Sequence, residues 1–137
     1  MRQALEQRLG STDRARIAEV VFADPAELAW LEGLLHPRVR REYLAWLAGL
    51  GDDVDVAVVE IPLLYETGGE ELFDAVVVVT ASEESRRRRA GARVDERSGR
   101  FIPDDEKVRR ADYSYVNDGS LAELEAFVAR VLEDLRR

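Results

Sequence analysis

Apolar positions follow two patterns along the chain. From Met1 to Leu50 they recur at helical spacing, and from Val54 onward short β-branched runs alternate with further helical stripes. Leu5 and Leu9 share a helix face that Gly10 terminates. Ser11, Thr12 or Asp13 can cap a second helix carrying Ile17, Val20, Val21 and Phe22. Asp24-Pro25-Ala26-Glu27 is a stronger start signal, with Asp24 as N-cap, Pro25 in the first turn and Glu27 as capping-box acid. The stripe Leu28, Leu31, Leu34, Leu35 follows, with Trp30 alongside. Pro37 disfavours helical geometry at His36, so the helix is predicted to end or kink there. A new helix then runs from about Arg38 to Leu50, with Val39, Tyr43, Trp46 and Leu47 inward.

The run from Val54 to Ile61, bounded by Gly51 and by Gly68-Gly69, reads as a strand buried on both faces and therefore part of a parallel sheet. It is followed by Pro62-Leu63-Leu64-Tyr65-Glu66. Ligands of open α/β sheets bind beyond the carboxyl ends of strands, so Glu60 and Glu66 stand where chemistry is expected; the plainer reading is a core strand, a turn and two solvated acids. A second strand is predicted over Ala75–Val79 and a third, weaker one over Tyr113–Val116. Helices are predicted from Ser82-Glu83-Glu84, from Pro103-Asp104-Asp105-Glu106 to about Arg110, and from the capping box Ser120-Leu121-Ala122-Glu123. Leu121, Leu124, Val128, Val131, Leu132 and Leu135 stripe the last one. Alternating strands and helices give an α/β class.

Composition narrows the chemistry. A chain of 137 residues supports one domain with a real core. Without cysteine there is no disulfide and no thiolate ligand or nucleophile. A net charge of -8 argues against general nucleic-acid affinity. No apolar run approaches the ~20 residues that span a membrane, and the opening residues do not read as a signal peptide. A cytoplasmic protein with neither a nucleic-acid nor a membrane partner is expected. Lys107 is the sole lysine. Arg86 to Arg89 point around a helix and cannot all grip one ligand, but Arg89 and Arg93 share a face and could hold phosphate oxygens. The alternative is a solvated helix paired with Glu83 and Glu84. His36 reads most simply as a helix-end residue, and Asn117-Asp118-Gly119 as a turn.

Taken together, these residues resemble the dephospho-CoA kinase family. Pro62-Leu63-Leu64-Tyr65-Glu66 after an apolar strand is similar to its PLLFE motif. Asp13-Arg14, Val21-Phe22-Ala23-Asp24-Pro25 and Leu34-Leu35-His36-Pro37 resemble an earlier family segment, and Phe73-Asp74 resembles the approach to its fourth strand. Glu106-Lys107, Ala111-Asp112-Tyr113 and Asn117-Asp118-Gly119-Ser120 resemble its ending. The resemblance runs in order through nearly the whole chain. It implies a P-loop NTPase-like three-layer α/β fold with a parallel sheet. The implied activity is transfer of the γ-phosphate of ATP, with Mg²⁺, to the ribose 3′-hydroxyl of dephospho-CoA, the last step of coenzyme A synthesis. Carried over residue by residue, Arg89 and Arg93 are catalytic lid arginines on the ATP phosphates, within a lid region spanning residues 86–107. His36, Pro62, Leu63, Leu64, Tyr65 and Glu66 lie along the dephospho-CoA site, Asn117 lies near the adenine, and Glu60 is a candidate metal ligand.

Departures from the pattern also carry expectations. The family opens with a strand and a GxxxxGKST phosphate loop, followed by an acid that activates the acceptor; neither is in these residues. The segment from Arg93 to Arg100 looks shortened, and Phe101 stands where a glutamine is common. The resemblance thus predicts a single partial domain over residues 1–137, N-terminally truncated, with strands one and two missing and no turnover on its own. Strand one of such folds lies between strands three and four, so their unpaired edges predict self-association. A non-catalytic remnant that binds dephospho-CoA or a protein partner is the alternative function.

Overall fold

The computed structural model describes residues 1–90 and 102–137, which cluster as two compact units, Met1–Ala57 and Val58–Arg137. The first unit is helical: α1 (Arg2–Leu9), α2 (Arg14–Ala23) and α3 (Pro25–Ala48). Gly10 ends α1 in the left-handed conformation at φ 68°, where its N–H reaches the Glu6 carbonyl. Asp13 caps α2 by accepting from the Ala15 and Arg16 amides, and Asp24 caps α3 by accepting from Ala26. Leu5, Leu9 and Val21 form the core of this unit, with Ile17, Leu28, Trp30, Leu31 and Leu34 packed around them.

Three expectations fail in this unit. Glu27 does not close a capping box on α3; its carboxylate takes the Arg8 guanidinium, with Nε at 2.9 Å, and the same guanidinium lies over Trp30. A bidentate cation from α1 outcompetes a backbone amide for that carboxylate. Pro37 does not end α3, so the separate helix expected from about Arg38 does not form. The proline leaves the Gly33 carbonyl without its helical donor, yet the chain continues as helix to Ala48. Leu28, Leu31 and Leu34 anchor the first half of α3 in the core, and the Arg38 guanidinium donates to the Leu34 carbonyl beside the gap. The expected inward face of the second half is only half right: Tyr43 and Leu47 are half-buried, but Val39 and Trp46 are exposed.

The second unit holds the sheet. β1 (Val77–Thr80) and β2 (Tyr113–Val116) pair in parallel, from Val77 opposite Tyr113 to Thr80 opposite Val116. Between them come α4 (Glu83–Ala90) and α5 (Asp104–Arg110), and α6 (Leu121–Leu135) follows. Ser120 and Glu123 form the predicted capping box at α6. The face α6 buries is centred on Phe127 and Val131 rather than on the whole predicted stripe; Leu121 and Val128 stay exposed. Phe127 stacks on Tyr115 of β2 at 4.9 Å between ring centroids.

Val54 to Ile61 forms no strand. The segment is not buried on both faces either, since Val58 is 73% exposed. A β-branched run becomes a strand only when a neighbour completes its hydrogen bonds. Among the described residues β1 and β2 pair only with each other, and no chain flanks residues 54–61 in a ladder. The second strand also starts later than predicted, at Val77 rather than Ala75, because the Val76 amide and carbonyl are engaged by Asp112 and Tyr113.

Candidate functional site

Parallel pairing brings the carboxyl ends of β1 and β2 to the same edge of the sheet. The Asn117 amide donates to the Thr80 carbonyl at 2.8 Å and closes that edge. One residue on, the Asp118 carboxylate accepts from the Ser82 amide at 3.0 and 3.2 Å, just before α4. Ser85, buried in the first turn of α4, donates its amide to the Ser82 hydroxyl. The Ser85 hydroxyl, the Ser82 amide and the Arg89 charge together hold the Asp118 carboxyl below its usual range. A carboxylate at the positive end of a helix gains from the unsatisfied amides there. The loop after β2 and the start of α4 are thereby tied together.

α4 carries four arginines with different partners. Arg86 pairs with Asp104 of α5 at 3.3 Å, Arg87 with Glu83, and Arg88 lies 3.4 Å from the Ser85 hydroxyl. Arg89 is exposed on the last turn. Arg93 lies outside the described residues, as do Arg97, Arg100 and Phe101. Of the two lid arginines expected from sequence, the structure therefore locates Arg89. Asn117 stands half-buried at the same sheet edge.

The Pro62–Gly68 segment is a compact turn in which the Thr67 amide and hydroxyl both reach the Leu63 carbonyl, and Gly69 donates to Leu64 at 3.0 Å. Gly68 sits at φ 61°, a conformation that suits glycine. Pro62 is exposed, Leu63 and Leu64 are half-buried, and Tyr65 is buried. The Arg110 guanidinium lies 4.4 Å over the Tyr65 ring and pairs with Glu70. Burial raises the Tyr65 phenol above its usual range; Arg110 opposes this, while Glu70 and Asp112 add to it.

Glu66 points inward beside Tyr65. Its Oε1 lies 2.6 Å from Lys107 Nζ and accepts from the Ile102 amide at 3.2 Å. Burial acts to raise its pKa, but the Lys107 ammonium and the Glu66 and Ile102 amides outweigh burial and hold it below the usual carboxylate range. The oxygens Tyr65 Oη, Glu66 Oε2 and Glu70 Oε2 are buried without a hydrogen bond to the described chain.

The remaining expected residues lie elsewhere. His36 is half-buried inside α3 of the first unit. Glu60 is exposed in the irregular segment before the turn. Among the described residues no group of three or more His, Asp or Glu side chains could hold a metal ion. Sequence reasoning did not pair Lys107 with Glu66, Arg110 with Tyr65 and Glu70, or Asp118 with Ser82 and Ser85. For Lys107 and Arg110 a signal existed: three apart on a helix, they share one face. Asp118 read as a turn residue, and its partner at Ser82 is 36 positions away.

A family model described as dephospho-CoA kinase matches residues 2–123. The chain belongs to the dephospho-CoA kinase family. It is 42% identical over 137 residues to a dephospho-CoA kinase of Anaeromyxobacter dehalogenans, covering 93% of this chain and 64% of the relative. Identity to that of Rhodopseudomonas palustris is 40% over 136 residues, covering 90% of this chain and 66% of the relative. The chain thus spans just under two thirds of the length of these dephospho-CoA kinases. The crystal structure of TT1252 from Thermus thermophilus is 34% identical, with a TM-score of 0.75 over 98% of this chain and 74% of that one. The mixed α/β architecture with its parallel strand pair is therefore the kinase family's fold, as the sequence motifs implied.

Proposed function

We propose that these residues form the acceptor-side turn, arginine helix and C-terminal sheet edge of a kinase. That kinase transfers the γ-phosphate of ATP to the ribose 3′-hydroxyl of dephospho-CoA in the cytoplasm. The observation that carries this reading is the shared edge of β1 and β2. There the Asp118 carboxylate joins the loop bearing Asn117 to α4 bearing Arg89. Nucleotides of open α/β folds bind beyond such an edge. Arg89 and Arg93 would act on the transferring phosphate, within a lid region of residues 86–107, and Asn117 would meet the adenine. Dephospho-CoA would lie along Pro62, Leu63 and Leu64, backed by Tyr65 and Glu66; for His36 a role toward this substrate rests on the family resemblance alone. Phosphoryl transfer depends on positioning and on charge placed against the phosphate oxygens. Mg²⁺ commonly arrives with the nucleotide and keeps water among its ligands. The described residues do not form a metal cage of their own, and Glu60 would supply at most one carboxylate to it.

No Gly-x-x-x-x-Gly-Lys sequence occurs in the 137 residues, so the polypeptide Met1–Arg137 is expected to show no turnover. A chimera in which a strand and GxxxxGKST phosphate loop of the kind that opens the family precede Met1 should phosphorylate dephospho-CoA, measured by transfer of label from γ-labelled ATP. A folded, monodisperse chimera without transfer refutes the reading. Turnover by Met1–Arg137 alone refutes the need for the loop. The open edges of the two-stranded sheet should also drive self-association of the isolated chain, seen by analytical ultracentrifugation.

A further inference from the structure

One face of α5 faces the Pro62–Leu72 region with two cations. Lys107 meets Glu66, and Arg110 meets the Tyr65 ring and Glu70. The Glu66 and Lys107 side chains are 13% and 18% exposed, so this ion pair is largely removed from solvent, unlike the exposed pairs within α4 and α5. Glu66 is also the acceptor for the Ile102 amide, two residues ahead of α5. From α5 the link continues to α4, through the exposed pair of Asp104 with Arg86, on the helix that ends with Arg89. Residues 62–69, α5 and α4 are thus joined in series, and the most buried joint is Glu66 with Lys107.

We propose that Glu66 and Lys107 are a positioning pair that holds α5, and through it the arginine helix, in register with the Pro62–Gly68 turn. This rests on the reading that the turn meets dephospho-CoA and α4 the nucleotide phosphates. On that reading, Lys107 acts through Glu66 and touches neither substrate. The arrangement explains why a half-buried acid sits within the turn. An ionised carboxylate there is tolerated because an ammonium and two amides face it, and it holds the neighbouring helix alongside the contacts of Arg110 with Tyr65 and Glu70. The second carboxylate oxygen and the Tyr65 hydroxyl are buried without a hydrogen bond to the described chain.

The test is amide hydrogen exchange on the whole 137-residue chain, read at Ile102, α5, α4 and, as internal controls, β2 and α6. Lys107→Met should speed exchange at Ile102 and α5 by about tenfold, the loss expected for one charge-assisted bond. Exchange in β2 and α6 should stay within about twofold, whereas a general stabilising role would loosen them too. Lys107→Arg should restore protection at α5. Glu66→Gln, which keeps an acceptor for Ile102, should loosen α5 more than Ile102. Unchanged exchange at α5 in Lys107→Met overturns the proposal, as does equal acceleration everywhere; if Lys107→Met does not fold, the comparison of Glu66→Gln with Lys107→Arg decides in the same way. Dephospho-CoA serves as probe in a second arm. In the wild-type chain it should slow exchange at residues 62–69 and at α5, and in Lys107→Met at residues 62–69 only. Failure of dephospho-CoA to protect residues 62–69 in the wild type counts against the substrate reading, while the ligand-free arm still decides the positioning role.

Discussion

Phe127→Ala tests whether the sheet edge that carries Asn117 and Asp118 is held from behind by α6. Phe127 is 8% exposed and its ring lies 4.9 Å from that of Tyr115 at an interplanar angle of 26°. Truncating a buried Phe to Ala costs about 3–5 kcal/mol in well-packed cores, of which an aromatic pair contributes roughly 0.5–1.5. Among the described residues no side chain is fully buried, so the surroundings can partly collapse and the lower end applies, about 3 kcal/mol. With a urea dependence of about 1–2 kcal/mol per molar, the midpoint followed by circular dichroism should fall by roughly 1.5–3 M. Phe127→Leu keeps most of the volume but loses the stacking, and should cost about half as much. A loss below about 1 kcal/mol for Phe127→Ala would mean that α6 does not rest on β2 through this ring, and the account of the sheet edge would fall with it.

Three further outcomes are expected. The Asp118 carboxyl is held below its usual range, so its contribution is complete above about pH 4, the unfolded value, and is lost as pH falls through the lower folded value. Exchange at the Ser82 and Ser85 amides, corrected for intrinsic rates, should therefore accelerate below pH 4 in the wild type, and Asp118→Asn should show this acceleration already at neutral pH. In the chimeric kinase, Arg89→Ala should lower kcat by roughly three to five orders of magnitude if the arginine is the main stabiliser of the transferring charge, and a rate within tenfold of the parent would remove Arg89 from the machinery. Gly10→Ala forces a side chain into the left-handed region at φ 68° and should cost about 1 kcal/mol in thermal unfolding of the helical unit, with open space around it leaving no steric excuse for more.

What the sequence made legible was local. Asp24 and Ser120 announced their helices, and Asp13 was one of three candidate caps for α2, because capping is settled within three or four residues. Tyr113–Val116 and most of the strand near Val77 were readable because those residues did find a partner. Val54–Ile61 has the same β-branched character and no ladder, because a strand is a property of a pair and the sequence of one member cannot supply the other. Pro37 misled for the opposite reason. Its local penalty is real, but core contacts N-terminal to it keep one helix running past it. At the site, the motif located the turn and the arginine helix but not what Tyr65 and Glu66 face. Glu66 and Lys107 are 41 positions apart, and only the fold brings them together. Phe127 escaped the predicted stripe, although with Leu124 and Val131 it forms a stripe at i, i+3 and i+7.

The single lysine has a practical consequence. Amine-directed acylation can modify only one side chain in these 137 residues, and that amine sits against a carboxylate at 2.6 Å, with the lysine side chain 18% exposed. A detached amine is open to the reagent; one held against Glu66 is shielded from it. The rate at which an adduct accumulates on the peptide carrying Lys107, counted apart from the Met1 α-amine, therefore clocks how often this amine leaves its site, in a molecule with no other lysine to confuse the count. A reagent usually regarded as indiscriminate becomes, in this chain, a stopwatch for one contact.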